Sequence, residues 1–148
     1  MTKKGRQSGI DRLRRAHDVT KTLYGIANSV NTSTSLYALY KAIHQSLAKV
    51  MDVRNFYIAI VDQEKKSLRF PYHVDEADDD FSTITDFDAE KSLTGLVVQE
   101  RSPVILYKKE LEARAARGGV WGPLPVVWLG VPLKIQDRVI GVVAIQNY

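Results

Sequence analysis

The sequence predicts an α+β fold in which one antiparallel sheet is accompanied by helices. Residues 126–148, VVWLGVPLKIQDRVIGVVAIQNY, form two apolar runs that flank Gln136 and Asp137, and this pattern is typical of a β-hairpin. Residues 55–62 and 67–74 repeat the pattern earlier in the chain. Two helical stretches precede both hairpins, and short helices lie between them. The order of elements therefore favours hairpins at both ends of a single sheet.

The closing hairpin is apolar on both faces, as is typical of strands that are covered on both sides. The expected cross-strand pairs are Ile135 with Arg138, Leu133 with Ile140, Val131 with Val142, and Leu129 with Ala144. Because Pro132 cannot donate a hydrogen bond to a neighbouring strand, we expect a bulge or an unpaired side there. Gly130 and Gly141 come near each other in this pairing and leave a notch, which a packed helix or a ligand can fill. We place this hairpin in the middle of the sheet.

Length and composition are those of one globular domain. The 148 residues are 45% hydrophobic and 26% charged. No apolar run approaches the roughly 20 residues that span a bilayer, and the polar, basic start lacks the apolar stretch of a signal peptide. We expect a cytoplasmic protein without a membrane span. The sequence holds no cysteine, which excludes disulfides, thiolate catalysis, thiolate metal sites and thioether attachment of a chromophore.

The net charge of +4 comes from the first 21 residues, which hold seven lysines or arginines against two acids. Residues 22–148 hold 14 basic and 15 acidic residues. A short basic leader is weak support for nucleic acid binding, and we expect none. If Arg12, Arg14 and Arg15 did contact phosphates, the affinity would fall steeply with salt.

The N-terminal segment divides into a leader and a helix. We expect residues 1–10 to be disordered and residues 11–31 to form a helix with a heptad-like seam. The seam residues are Leu13, Ala16, Thr20, Leu23, Ala27 and Val30. This spacing is typical of a parallel helix pair in a signal-transmitting homodimer, and also of an amphipathic helix that lies on its own domain.

Residues 32–148 form the predicted sheet domain. A second amphipathic helix within residues 36–50 should pack against the sheet. Pro71 makes residues 67–74 an edge strand, in which Phe70 and Tyr72 share one face and His73 points to the other.

The middle of the chain is predicted as loops and short elements. Residues 75–90 carry eight acids and no basic residue or glycine, which indicates a solvated acidic loop and not a calcium-binding loop. Short helices at residues 92–100 and 108–117 flank a short strand at residues 104–106.

Catalytic and metal-binding motifs are absent from the sequence. No phosphate-binding, dinucleotide-binding, zinc-protease or hydrolase motif occurs, and His17, His44 and His73 lack metal-ligand spacing. The stretch at His17 faintly resembles the phosphoacceptor box of histidine kinases, but its usual proline is missing. His73 lies beside Phe70 and Tyr72, where it can contact a ligand, ligate a haem, or serve as a structural histidine. We expect no enzymatic activity.

A candidate cavity lies where the loops at residues 75–92 and 117–126 return to the sheet. Its candidate ligand-binding residues are Phe70, Tyr72, His73, Leu96, Trp121 and Trp128. Aromatic residues in such positions are also typical of a packed core.

Three groups of motifs, taken in order, resemble a GAF domain. They are RNFYIAI at residues 54–60 with FPYHVDE at 70–76, SLTGLVV at 92–98 with RSPV at 101–104, and WLGVPL at 128–133 with DRVIG at 137–141. The resemblance covers about residues 18–148. It implies a six-stranded antiparallel sheet with helices on one side and a small-molecule cavity on the other. It also implies a non-enzymatic input module of bacterial signalling proteins, such as sensor histidine kinases of two-component systems and diguanylate cyclases.

The chain departs from this family pattern in ways that restrict its cofactors. Relatives that bind bilins, and the free methionine sulfoxide reductases of this fold, use cysteine, which this sequence lacks. The Asn-Lys-Phe-Asp-Glu signature of cyclic-nucleotide-binding members is also missing, and haem is not favoured. Because the usual closing helix does not follow Tyr148, we expect a fragment of a longer protein with a covalently linked output domain. Two hypotheses stay open, a sensor of an unidentified small molecule and a ligand-free dimerisation module.

Overall fold

A computed structural model describes residues 3–32 and 35–148, and it describes side-chain surroundings for residues 9–25 and 35–148. The chain divides into two compact units, Met1–Val53 and Arg54–Tyr148. The first unit is helical and the second contains the sheet.

The helical unit consists of α1 (Lys3–Thr32) and α2 (Leu36–Leu47), which contact each other. Ser35 begins α2, because its hydroxyl accepts a hydrogen bond from the Ala38 backbone N–H at 3.2 Å. His44 Nε2 lies 2.7 Å from the carbonyl oxygen of Val53 and ties the end of α2 to the segment after it. The packing of α2 against the sheet stays a prediction.

Helix α1 begins at Lys3, eight residues before the expected start at residue 11. The prediction of a disordered leader is therefore wrong for residues 3–10. No proline interrupts this stretch, and each residue added to an existing helix gains one backbone hydrogen bond without a new nucleation cost.

The sheet unit has six antiparallel strands in the order β3-β2-β1-β6-β5-β4. The strands are β1 (Asn55–Asp62), β2 (Ser67–Val74), β3 (Ile84–Thr85), β4 (Val104–Tyr107), β5 (Val127–Ile135) and β6 (Arg138–Asn147). Two short helices, α3 (Leu93–Glu100) and α4 (Lys108–Ala115), precede and follow β4. The predicted α+β fold with a six-stranded antiparallel sheet is thus confirmed, and the closing hairpin lies in the sheet interior as expected.

The edge at β2 is only partly covered. Strand β3, which the sequence did not predict, pairs with β2 only at Ser67 and Leu68. Among the described residues, no outer strand pairs with the half of β2 that contains Pro71. This agrees with the missing backbone N–H of Pro71, which cannot donate a hydrogen bond to a neighbouring strand.

The closing hairpin has the predicted turn but a different register. Ile135 pairs with Arg138, and a bulge at Ile140 then shifts the pairing by one residue. The predicted pairs beyond the turn are therefore wrong. Strand β5 pairs with β6 as Leu133 with Gly141, Val131 with Val143, Gly130 with Ala144, and Leu129 with Ile145.

The register change separates Gly130 from Gly141, so the predicted notch does not form. A side chain at Gly130 would collide with the ring of Trp128 and with Val97 of α3. Packing therefore explains the glycine. The core on this face contains Tyr57, Ala59, Val142, Ala144 and Trp128 from the sheet, with Leu93, Val97 and Leu111 from the helices.

Candidate functional site

A cavity of about 500 Å³ lies within the sheet unit, on the face that carries Trp128. This volume falls in the range of small-molecule sites. Its wall comes from β1, β2, the acidic loop, the start of α3, the loop before β5, and strands β5 and β6. The lining residues are Tyr57, Phe70, Asp78, Asp80, Phe81, Ser82, Thr83, Ile84, Thr85, Ser92, Leu93, Thr94, Val120, Trp121, Gly122, Pro123, Pro125, Trp128 and Gln146.

The floor of the cavity is defined by three hydrogen-bonded side chains, Tyr57, Thr94 and Trp128, all of them buried. The Trp128 indole N–H donates to the Tyr57 hydroxyl at 3.2 Å, and the hydroxyls of Tyr57 and Thr94 lie 2.9 Å apart. Burial raises the pKa of Tyr57 to about 12, against the lowering effect of its two hydrogen bonds. The phenol is therefore neutral near neutral pH and keeps its proton for hydrogen bonding.

The start of α3 reaches the cavity beside this floor. Ser92 caps the helix, because its hydroxyl accepts a hydrogen bond from the Gly95 N–H at 3.1 Å. Gly95 leaves no room for a side chain against the backbone of Asp88. The cap and this close contact fix Thr94 where its hydroxyl meets Tyr57.

Three aromatic rings form one wall. Phe70 lies edge-on to Tyr57 with the ring centroids 5.5 Å apart, and Phe81 lies 5.6 Å from each of these two rings. His73 stacks on Phe81 at 4.2 Å. The ring of Phe81 therefore holds the acidic loop against the sheet. The charge pattern of residues 75–90 did not indicate this contact.

The rim of the cavity is polar and largely exposed. Asp80 accepts hydrogen bonds from the side chain and backbone of Ser82, which lower the pKa of its carboxyl. Trp121 is 47% exposed and lies on the opposite loop. The cavity is therefore open to solvent between the two loops.

A second polar group lies beside Gln146, at the end of β6. The Gln146 amide donates to Asp75 at 2.7 Å and to the Tyr148 hydroxyl at 2.8 Å. Tyr148 in turn donates to Asp75 at 3.0 Å. Partial burial, and then the Asp75 carboxylate, raise the pKa of Tyr148. These bonds anchor the start of the acidic loop to the last strand.

Three of the six predicted ligand-binding residues, Phe70, Trp121 and Trp128, line the cavity. His73 reaches it only through Phe81, and Leu96 of α3 is not among the described lining residues. Tyr72 lies on the other face of the sheet, where its ring is 6.0 Å from that of Phe56. Ligand binding by any of these residues stays a prediction.

A bulge explains the position of Tyr72. Strand β2 places two residues, Phe70 and Pro71, opposite Ala59 of β1. Because a shift of one residue moves every later side chain to the opposite face, the regular alternation predicted for Phe70 and Tyr72 is wrong.

Most residues that shape the cavity were not predicted from the sequence, among them Tyr57, Asp78, Phe81, Thr94 and Gln146. Tyr57 and Gln146 resemble ordinary strand residues. Phe81 is the first aromatic residue in an otherwise acidic stretch, and that contrast was a usable signal. Thr94 follows the helix cap Ser92 by two residues, a position that carries no functional signal by itself.

The dimer seam of α1 is only partly described. Leu13 and Leu23 are 73% and 61% exposed. Ala16 and Thr20 are also exposed, and the Thr20 hydroxyl donates to the Ala16 carbonyl at 2.9 Å. Ala27 and Val30 lie outside the residues whose side chains the structure describes.

Among the side chains of residues 9–25 and 35–148, no group of three or more His, Cys, Asp or Glu is arranged to hold a metal ion. None of the described helices combines the length and the apolar character needed to cross a membrane.

Several solved structures share the fold of this chain. A GAF domain from an Acinetobacter phosphoenolpyruvate-protein phosphotransferase is 23% identical, with 86% of this chain and 75% of that chain covered and a TM-score of 0.66. A methyl-accepting chemotaxis protein is 16% identical, with 86% and 82% covered and a TM-score of 0.66. The free methionine-R-sulfoxide reductase of Neisseria meningitidis, solved with its substrate, is 18% identical, with 82% and 68% covered and a TM-score of 0.62.

These identities establish a shared fold and nothing beyond it. No match was found among curated protein sequences. A family model described as GAF domain matches residues 33–148, which are most of the chain and include every strand of the sheet. The chain therefore belongs to the GAF domain family.

Proposed function

We propose that this GAF domain is a non-catalytic sensory or regulatory input domain that binds a small molecule in the cavity above Trp128. Binding would control an output domain, a histidine kinase or a diguanylate cyclase, in bacterial signal transduction. The observation that carries this proposal is a cavity of about 500 Å³ whose floor is a completed hydrogen-bond network. Because the floor groups already satisfy one another, the cavity keeps its shape without a ligand.

The construction of the cavity suits a switch. The floor of the cavity is formed by regular elements, β1, β5 and α3, whereas its rim is formed by the two loops that carry Asp78 and Trp121. A ligand that contacts both loops would favour the loop arrangement in which it binds more tightly. Only such a difference in affinity can shift the equilibrium between two arrangements.

The relatives support a regulatory role in a coarse way. One neighbour in fold belongs to a chemotaxis protein and another to a phosphotransferase. The sulfoxide reductases show that the same fold also carries enzymes. For this chain we favour a non-catalytic role because it has no cysteine for thiol chemistry, and because no histidine, lysine or arginine is among the described residues that line the cavity.

The first test is to look for a ligand that copurifies. The domain is purified under native conditions, its intact mass and absorption spectrum are recorded, and it is then denatured so that any small molecule is released. A released molecule in stoichiometric amount supports the proposal and identifies the ligand class. An apo protein whose tryptophan fluorescence also fails to respond to a metabolite extract contradicts it. A change in tryptophan fluorescence reports on the cavity, because the chain has two tryptophans, Trp121 and Trp128, and both line it.

The second candidate function is a ligand-free dimerisation module, favoured by the exposed leucines of α1. We propose a homodimer through the seam that includes Leu13 and Leu23. In analytical ultracentrifugation, Leu13→Asp with Leu23→Asp should convert a dimer to a monomer. Leu36→Asp replaces a leucine of α2 that is similarly exposed, at 69%, and should leave the dimer intact. A monomeric parent protein would argue against this candidate.

A further inference from the structure

We propose that the cavity binds an organic cation, a small amine or quaternary ammonium compound, between its aromatic wall and the carboxylate of Asp78. This inference rests on the proposed ligand-binding function and names the chemical class of the ligand. It comes from the charges and rings that line the cavity.

The charged side chains that line the cavity are all acidic. Asp78 and Asp80 are the charged residues among the described lining residues, and no basic side chain is there to neutralise them. The start of α3 contributes a partial positive charge of roughly half a unit. Two full negative charges therefore outweigh it, and the potential inside favours a cation.

Of the two acids, Asp78 is better placed to bind a cation in the cavity. Its Oδ1 accepts the Asp80 backbone N–H at 3.0 Å, which holds the carboxylate in position. Its Oδ2 accepts no hydrogen bond from the described residues and lies against Gly122, where a side chain would collide with it. Gly122 has φ of +80°, a conformation that favours glycine. Glycine at position 122 therefore leaves room for the carboxylate of Asp78, a residue that lines the cavity.

The rest of the wall suits the apolar body of such a ligand. Five aromatic residues line the cavity: Tyr57, Phe70, Phe81, Trp121 and Trp128. The indole N–H of Trp128 is already donated to Tyr57, so this residue offers a ligand no hydrogen-bond donor. Aromatic rings attract ammonium groups through their negative faces, most strongly when the site excludes water.

The test compares each cation with a neutral molecule of nearly the same shape. Choline is paired with 3,3-dimethylbutan-1-ol, and 2-phenylethylamine with 2-phenylethanol, in titrations of the whole chain that follow tryptophan fluorescence and calorimetric heat. We expect at least one cation to bind saturably, and its neutral partner to bind about tenfold more weakly or worse. Equal affinity within both pairs, or no binding of either cation, would overturn the proposal.

Asp78→Asn tests the carboxylate itself. Asparagine keeps the oxygen that accepts the Asp80 N–H, and it removes the charge. We expect the affinity for the bound cation to fall by about tenfold while that for the neutral partner stays unchanged. Asp79→Asn is the matched control, since Asp79 is the next residue, is exposed and is not among the described lining residues. Equal losses in the two variants would show that Asp78 has no specific role.

Benzoate, added to the same series, separates this inference from the proposed function. If benzoate or 2-phenylethanol binds and the cations do not, the cavity is a ligand site for another class, so the cation inference fails and the sensor proposal stands. If neither these compounds nor a metabolite extract changes the fluorescence, and no small molecule copurifies, both fail.

Discussion

The floor and the rim of the cavity are built in opposite ways. The floor residues Tyr57, Thr94 and Trp128 are buried, lie on a strand or helix, and satisfy one another's hydrogen bonds. The rim residues Asp80 and Trp121 are exposed and lie on loops. Stability should therefore depend on the floor and ligand specificity on the rim, which is how function is usually distributed between a scaffold and its loops.

The largest expected effect on the free energy of unfolding distinguishes the buried tryptophan from the exposed one. Trp128 is fully buried and belongs to the core of the sheet unit, so Trp128→Ala should lower the free energy of unfolding by about 3–5 kcal/mol. Urea denaturation followed by circular dichroism measures the loss. A loss below about 1 kcal/mol would mean that the cavity floor is not part of the stabilising core.

The next effect concerns the pH dependence of stability. Tyr57 has a pKa of about 12 in the folded chain, raised from 10.0 by burial. Between these values the unfolded chain has lost the proton and the folded chain keeps it, so the free energy of unfolding decreases as pH rises. The decrease from this residue reaches about 3 kcal/mol at most.

Tyr57→Phe should make that decrease smaller, although some of it should remain because the pKa of Tyr148 is also raised. The measurement is urea denaturation at several pH values between about 9 and 12. Tyr107→Phe is the control, because this hydroxyl belongs to a residue that is 58% exposed. If the two variants show the same pH dependence, the floor phenol does not titrate as its burial requires.

A smaller effect tests how the floor is positioned. Ser92→Ala removes the cap of α3 and should cost about 1 kcal/mol of stability. It should also weaken ligand binding, because the cap fixes the helix turn that carries Thr94. Ser102→Ala is the control, since Ser102 is exposed and follows the helix. Equal urea midpoints for the two variants would contradict the role of the cap.

The floor and the rim also differ in how far the sequence predicted them. The hairpins were predictable because apolar runs and turn residues determine strand pairing locally. The bulges at Phe70 and Ile140 were not, because a bulge depends on contacts with the partner strand. As a result Tyr72, a predicted cavity residue, lies on the opposite face of the sheet, whereas Trp128 is among the residues that line the cavity.

The acidic loop shows the other limit of sequence reasoning. Its charge predicted a solvated segment, and most of its acids are indeed exposed. The chain reversal that brings Phe81 onto Tyr57 and forms β3 depends on tertiary contacts, which have no local signature. The position of Asp78 beside Gly122 depends on two loops that are distant in sequence.

The smallest expected effect on stability, and the sharpest test of the comparison, comes from Trp121. This residue is 47% exposed on the rim, so Trp121→Ala should change the free energy of unfolding by no more than about 0.5 kcal/mol. The same substitution should weaken binding of the cavity's ligand, because Trp121 contributes one of the rings at the opening. Urea denaturation and calorimetric titration on one preparation give both values. If Trp121→Ala instead destabilises the domain as strongly as Trp128→Ala, floor and rim are one cooperative structure, and specificity cannot be altered at the loops without a loss of stability.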